Sequence, residues 1–194
     1  MQQRLIVLGG GESGVGAAIL GKRQGYSVFL SDREMLTDKY RVRLIDNDIE
    51  FEEGQHTENI IFKADLVVKS PGIPKEAPLI RQLNEKHIQV ISEIEFASRF
   101  TDSKIIAVTG SNGKTTTASL IHYILNVAGM NAGLGGNIGR SFSDLVAECG
   151  YDCYVLEISS FQLDDIVSFK PYIAILLNIT PDHLDRYDYK LETY

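Results

Sequence analysis

The spacing of apolar and polar positions changes repeatedly along the chain. Arg4-Leu5-Ile6-Val7-Leu8 is a short apolar run ending at three glycines. It is too short for a helix and predicts a strand buried on both faces. Val15 to Gln24 follows with helical spacing and stops at Gly25, a natural residue just past a helix end. Ser27 to Leu30 predicts a second strand, closing on Ser31-Asp32-Arg33, and Ile49 to Glu52 a weaker third. Ala64 to Lys69 predicts a fourth, running into Ser70-Pro71-Gly72-Ile73-Pro74. Ala77 to Lys86 reads as a helix and Gln89 to Ile91 as a fifth strand. After the polar break Thr101-Asp102-Ser103, Ile105 to Val108 predicts a strand and Lys114 to Ala128 a helix stopped by Gly129. Tyr154 to Leu156 and Ile173 to Leu177 are two further buried-strand candidates. Strands separated by helical segments predict right-handed crossovers and parallel sheets. The expected fold class is α/β in two units, 1–101 and 102–194.

Composition narrows the partners. The 194 residues are 44% hydrophobic and 23% charged, with a formal net charge of −7, as in an ordinary globular chain. Acidity rises toward the C-terminus. No long-range attraction for a nucleic-acid backbone is expected, so an anionic ligand must be held by local groups. The longest apolar stretch, Ile173 to Leu177, is far short of the roughly 20 residues a membrane span needs. The start of the chain lacks a signal-peptide core, and a cytoplasmic location is expected. Cys149 and Cys153 have no His or Cys cluster beside them and read as reduced thiols.

Two glycine turns carry the candidate chemistry. Gly9, Gly11 and Gly14 satisfy G-x-G-x-x-G between a strand and a helix. Glycine lets the backbone approach a pyrophosphate there, and the helix start offers free N–H groups and partial positive charge. Asp32 stands where a ribose-binding acid sits in a nicotinamide-dinucleotide fold. Glu12 argues against a dinucleotide, because its charge inside the turn would crowd the phosphates. Tight strand-to-helix packing is the third reading.

The second turn, Gly110-Ser111-Asn112-Gly113-Lys114-Thr115-Thr116, also follows a strand and opens a helix. Successive backbone N–H groups make an anion nest, Lys114 reaches outer phosphates and the Thr115 hydroxyl can ligate Mg²⁺. A strict P-loop has glycine where Val108 stands, but the Gly-Lys-Thr core keeps its context. The expected ligand is a triphosphate with magnesium, which makes the second unit P-loop ATPase-like. Glu157, after the strand at 154–156, places a carboxylate on the same side as a metal ligand, or serves as a structural edge residue. His183, between Asp182 and Asp185, reads equally as a metal ligand, a general base or part of a capped turn. His56, His87 and His122 have no partners in sequence and read as surface or packing residues.

The loop Thr109 to Thr116 resembles the ATP loop of the Mur ligases and folylpolyglutamate synthetases. Four more segments narrow the likeness to the Mur ligases that add D-glutamate: Ser70 to Ile73, Gly136 to Gly139, Glu157 to Leu163 and Asn178 to Tyr187. The resemblance implies ATP-dependent amide ligation in peptidoglycan synthesis, with UDP-N-acetylmuramoyl-L-alanine and D-glutamate as substrates. ATP phosphorylates the terminal carboxylate, and the D-glutamate amine then attacks the acyl phosphate. By the same resemblance the first unit is a Rossmann-like domain holding the UDP end through Glu12, Ser13, Asp32, Arg33 and Gly72. Asn137, Ser159 and Gln162 fall to the muramoyl-alanine portion. Gly110, Ser111, Asn112, Gly113, Lys114, Thr115 and Thr116 fall to ATP, and Thr115, Glu157 and His183 to Mg²⁺, with Lys114 and His183 catalytic.

Family members are longer, with a third domain for D-glutamate and a carbamylated lysine beyond the Asp-His pair. Here Tyr194 lies eleven residues after His183, and Lys190 is too early for that lysine. The expectation is a portion that binds substrate without completing ligation. A monomer is expected for the family, with self-association of this chain through an open sheet edge. Two other classes compete: an NAD-binding domain fused to a nucleotide switch, and a non-catalytic binding fragment.

Overall fold

A computed structural model describes residues 2–181. In chain order the first part runs β1 (Arg4–Leu8), α1 (Glu12–Arg23), β2 (Ser27–Ser31), α2 (Asp38–Asp46), β3 (Glu50–Glu52), α3 (Glu58–Ile61), β4 (Leu66–Lys69), α4 (Pro78–Glu85) and β5 (Gln89–Ser92). The second part runs α5 (Glu93–Ser98), β6 (Lys104–Thr109), α6 (Lys114–Val127), β7 (Ala132–Gly136), α7 (Phe142–Glu148), β8 (Cys153–Glu157), α8 (Ser160–Leu163) and β9 (Ile173–Leu176). Both sheets are parallel, with strand orders β3-β2-β1-β4-β5 and β7-β8-β6-β9. In such sheets ligands gather at the C-terminal strand ends, and both glycine turns lie there.

The apolar runs anticipate eight of the nine strands to within a few residues, all but β7. Helix α1 begins at Glu12, three residues before the first periodic position, because extended Gly11 caps it directly after the turn. Strand β7 has no apolar signature: Ala132-Gly133-Leu134-Gly135-Gly136 is a strand because β8 pairs with it along its whole length. Helix α5 starts without a break from β5, where the Ser92 hydroxyl accepts the Glu95 N–H at 3.1 Å.

One hydrophobic core runs through both units. Leu5, Val7 and Leu30 of the first sheet share it with Ile94 and Phe96 of α5 and with Phe142, Tyr154 and Leu156 of the second unit. Helices α1 and α7 pack directly at Gly16, where an added Cβ would lie 2.0 Å from Ser141 Oγ. Ser141 cannot retreat without giving up its cap on α7, the bond from the Asp144 N–H. The outer face of the second sheet is thinner. Val108, Ala118 and Val155 are its buried members, while Ile173 and Leu176 of edge strand β9 are exposed.

Two carboxylates of α5 join the units. Glu95 is fully buried; its Oε2 accepts the N–H groups of Val167, Ser168 and Phe169 at 3.0, 2.9 and 2.8 Å. Its Oε1 takes the Ser168 hydroxyl at 2.7 Å and the Arg99 guanidinium at 3.1 Å. Burial opposes ionisation, but the Ser168, Val167 and Phe169 donors outweigh it and hold the carboxyl at about 2. Glu93 is also buried. Its Oε1 accepts the Ser143 N–H in the first turn of α7, while its Oε2 has no partner among the described residues. Burial pushes it up to about 7, with Ser143 offsetting only part and nearby Asp144 adding to the rise.

The two glutamates have opposite pH signatures. Glu95, lowered, stabilises above pH 4.5, and that stability fades as pH falls toward 2. Glu93, raised, is favourable as the neutral acid below pH 4.5, and that advantage is lost as pH rises through 7. Urea titrations of Glu93→Gln should therefore show a gain over the parent chain of up to about 3 kcal/mol at pH 8, vanishing near pH 4. Glu95→Gln should lose about 2–3 kcal/mol at pH 7, with the deficit shrinking on acidification. Gly16→Ala should lose about 1–3 kcal/mol at every pH, from overpacking against Ser141.

Candidate functional site

The second glycine turn is shaped by its glycines and by one distant segment. Gly113 caps α6 with φ of +85°, in the left-handed region, and turns the chain into the helix. At Gly110, an added Cβ would lie 3.0 Å from the backbone oxygen of Asn178. Asn178 then uses up part of the expected nest. Its backbone oxygen accepts the Ser111 N–H at 3.0 Å and its Oδ1 accepts the Asn112 N–H at 2.9 Å. Ser111 and Thr180 exchange two more bonds, both at 2.9 Å. The anion cradle thus contracts from the whole turn to the opening turn of α6, where Lys114, Thr115 and Thr116 have N–H groups without helical acceptors. Lys114 arches back over the loop, Nζ donating to the Gly110 and Ser111 carbonyls at 2.7 and 3.0 Å.

Three strand ends converge beside this cradle. Glu157 closes β8 and is in register with Val108 of β6 and Gly136 of β7. Its carboxylate is buried, accepting the Thr115 hydroxyl at 2.7 Å on Oε2 and the Asn137 amide at 2.9 Å on Oε1. Thr115 and Glu157 therefore meet, as the metal reading requires. Asn137, expected at the sugar-peptide portion, is bonded to the same carboxylate. Hydroxyl and carboxylate oxygens are the hard donors that magnesium takes, so these residues fit that ion. Among the described residues no three His, Cys, Asp or Glu side chains gather into a metal cluster. His183 lies outside the described residues.

Ser159 and Gln162 have a local explanation. The Gln162 side chain accepts the Ser159 N–H at 3.0 Å, and Ser159 Oγ accepts the Gln162 N–H at 3.3 Å, a capping box opening α8. The Ser-x-x-Gln spacing that signals such a box is visible in the sequence.

The first glycine turn borders a cavity of about 640 Å³, lined among others by Gly9, Gly11, Arg33, His56 and Gly72. Gly14 allows the turn to close: a Cβ there would lie 1.8 Å from the Gly9 oxygen. Asp32 also lines the cavity but fastens the turn, Oδ2 accepting the Gly10 N–H and Oδ1 the Glu34 N–H. Glu12 does not line it. Its carboxylate is 3.0 Å from Lys39 and 3.5 Å from Arg43, which hold it below the usual carboxylate range although burial opposes this. The charge argument against a dinucleotide thus loses its basis. Ser13 is half-buried at the start of α1 and is not among the lining residues.

Sequence reasoning missed two clusters here. His56 Nδ1 lies 2.7 Å from the buried Ser31 hydroxyl, which donates to Glu52 at 2.7 Å. Only the fold brings positions 31, 52 and 56 together. Lys69, buried at the end of β4, donates to the Ile73 carbonyl at 2.7 Å and pairs with Asp165 at 2.7 Å. That pair ties the cavity's Ser70 to Pro74 wall to the second unit.

The comparisons agree with this two-part layout. The family described as "Mur ligase MurD-like, N-terminal domain" matches residues 3–92, and "Mur ligase middle domain" matches 108–194. A relative from Christiangramia forsetii, "UDP-N-acetylmuramoylalanine--D-glutamate ligase", is 59% identical over all 194 residues. A protein of the same description from Bacteroides fragilis is 57% identical over 192 residues. The chain spans 44% and 43% of these two relatives' lengths. The structure resembles that of UDP-N-acetylmuramate:L-alanyl-gamma-D-glutamyl-meso-diaminopimelate ligase from Neisseria meningitides, with TM-score 0.63 and 22% identity over 100% of this chain and 68% of that one. It also resembles UDP-N-acetylmuramate-alanine ligase from Thermotoga maritima, with TM-score 0.62 and 21% identity over 100% of this chain and 45% of that one. At these identities the structural likeness speaks for the fold.

Among the described residues Lys114 donates to two loop carbonyls, so its removal tests the cradle. Lys114→Ala should weaken ATP binding at least tenfold by calorimetry, as expected for a lost charge-assisted phosphate contact of about 1.5–3 kcal/mol. The urea midpoint should move little.

Proposed function

The chain belongs to the Mur ligase family of peptidoglycan synthesis, carrying its N-terminal and middle domains, and we propose that it serves the ATP-dependent addition of D-glutamate to UDP-N-acetylmuramoyl-L-alanine. The observation that carries the reading is the meeting of Thr115, Asn137 and Glu157 at three neighbouring strand ends, beside the helix cradle and Lys114. Phosphoryl transfer asks mainly for positioning and charge neutralisation, which such a site supplies.

In this reading residues 1–101 hold the UDP end in the cavity beside the first glycine turn, with Arg33 facing the diphosphate. Residues 102–194 hold ATP, its phosphates on the N–H groups of the α6 opening turn. Lys114 leaves its two loop carbonyls for the outer phosphate and neutralises charge as the phosphoryl group passes to the alanyl carboxylate. The D-glutamate amine then forms the amide bond by attacking the acyl carbon, and phosphate departs. Magnesium, held through Thr115 and Glu157, would supply further neutralisation of the phosphate oxygens. Asn137 fixes the Glu157 carboxylate so that one oxygen remains turned to Thr115. By the resemblance His183 is assigned to the metal; the same resemblance implies a cytoplasmic location and a monomer. No helix among the described residues is long and apolar enough to cross a membrane.

Residues 1–194 are assigned binding rather than turnover, because the resemblance places the D-glutamate site and bridging lysine on segments outside them. Calorimetry should show binding of UDP-N-acetylmuramoyl-L-alanine, competed by UDP and indifferent to NADH. D-glutamate-dependent phosphate release by residues 1–194 should be absent. Tight NADH binding with no response to UDP would overturn the assignment of the first unit.

A further inference from the structure

His56 is a cavity residue that the reaction does not yet use. It sits with Ser31 and Glu52 in a chain of hydrogen bonds that determines which of its nitrogens carries the proton. Ser31 Oγ lies 2.7 Å from both Glu52 Oε1 and His56 Nδ1. A hydroxyl has one proton to give. Glu52 is ionised: burial opposes this, but Thr57 and Ser31 hold its carboxyl below the usual range. A carboxylate is the stronger acceptor, so the serine proton goes to Glu52. The serine oxygen must then accept from His56, which places the ring proton on Nδ1.

Burial keeps His56 neutral by pushing it below its ordinary value, although Asp32 and Glu52 pull the other way and Arg33 adds to the lowering. A neutral ring protonated at Nδ1 presents Nε2 as a bare acceptor. Ser31 is fully buried behind the ring, and the ring itself lines the cavity wall. Asp32, the neighbouring acceptor, already has each oxygen bonded to a backbone N–H. The cavity therefore offers an acceptor at His56 whose need is a donor from the ligand.

We propose that His56 reads the nucleotide base: its Nε2 accepts the imide N–H of a uracil ring and so selects uridine over cytidine diphosphates. The inference rests on the reading of this cavity as the UDP site. Uracil carries a proton at N3, whereas cytosine carries a lone pair there. Cytosine would set acceptor against acceptor in a partly buried wall, and a site built around a hydrogen bond rejects an analogue that lacks it.

Calorimetric titration of the 194-residue chain with UDP, CDP and N3-methyl-UDP tests this. The parent chain should bind UDP at least tenfold tighter than either analogue. His56→Leu should bring UDP down to the level of CDP, so that their ratio approaches one. Ser31→Ala, which frees the ring to exchange its proton between nitrogens, should narrow the ratio while keeping the imidazole. Should His56→Leu fail to fold, His56→Ala removes the acceptor with less steric demand and should equally bring UDP and CDP level. An unchanged UDP-to-CDP ratio in Ser31→Ala and in every folded variant lacking an acceptor at position 56 overturns the role of His56 and leaves the UDP site standing. Failure of the parent chain to bind UDP removes both.

Discussion

The arrangement of the two units depends on a carboxylate that cannot be left without partners. Glu95 is buried at the junction, and an ionised group there is tolerated only when its oxygens are fully bonded. The chain meets that demand with three successive backbone N–H groups, at Val167, Ser168 and Phe169. Those donors belong to the segment leading into β9, so satisfying Glu95 also places the strand whose continuation wraps the phosphate loop. Glu93, two residues earlier, binds α7 in the same way but only half satisfied. Helix α5 is short, and its role is to present these two side chains rather than to add apolar area.

The same segment reaches both functional sites. Asp165 pairs with Lys69 at the end of β4, and Asn178 laces the second glycine turn. Residues 165–178 therefore connect the wall of the cavity beside the first glycine turn, the Glu95 anchor and the second glycine turn in one stretch of chain. A displacement of one unit against the other is resisted at the Lys69–Asp165 pair and at the Glu95 anchor. This gives a physical basis for holding the cavity and the second glycine turn in fixed relation.

Within each site, the parallel sheet does the collecting. Thr115, Asn137 and Glu157 are far apart in sequence, yet each follows or ends a strand, and adjacent strands bring their ends within hydrogen-bond distance. The meeting of Thr115 and Glu157 was legible from strand-then-carboxylate spacing. The capture of Asn137 by Glu157 was not, because β7 is nearly all glycine and alanine and gives no apolar period. The capping role of Ser159 and Gln162 was legible in their spacing. The diversion of Glu12 onto Lys39 and Arg43 was not, since it depends on where α2 packs.

Taken alone, the chain's amino acids determined what local forces decide. Short apolar runs became buried strands, glycines opened the turns and ended the helices, and Gly-Lys-Thr announced a phosphate loop. These follow from backbone sterics and from the period of burial, which neighbouring residues control. The tertiary structure decided which polar groups meet. It set which N–H groups of the second glycine turn are already bonded, which carboxylates are held ionised, and which polar groups face His56. Those outcomes turn on desolvation and on single hydrogen bonds between residues tens of positions apart, and no local pattern records them.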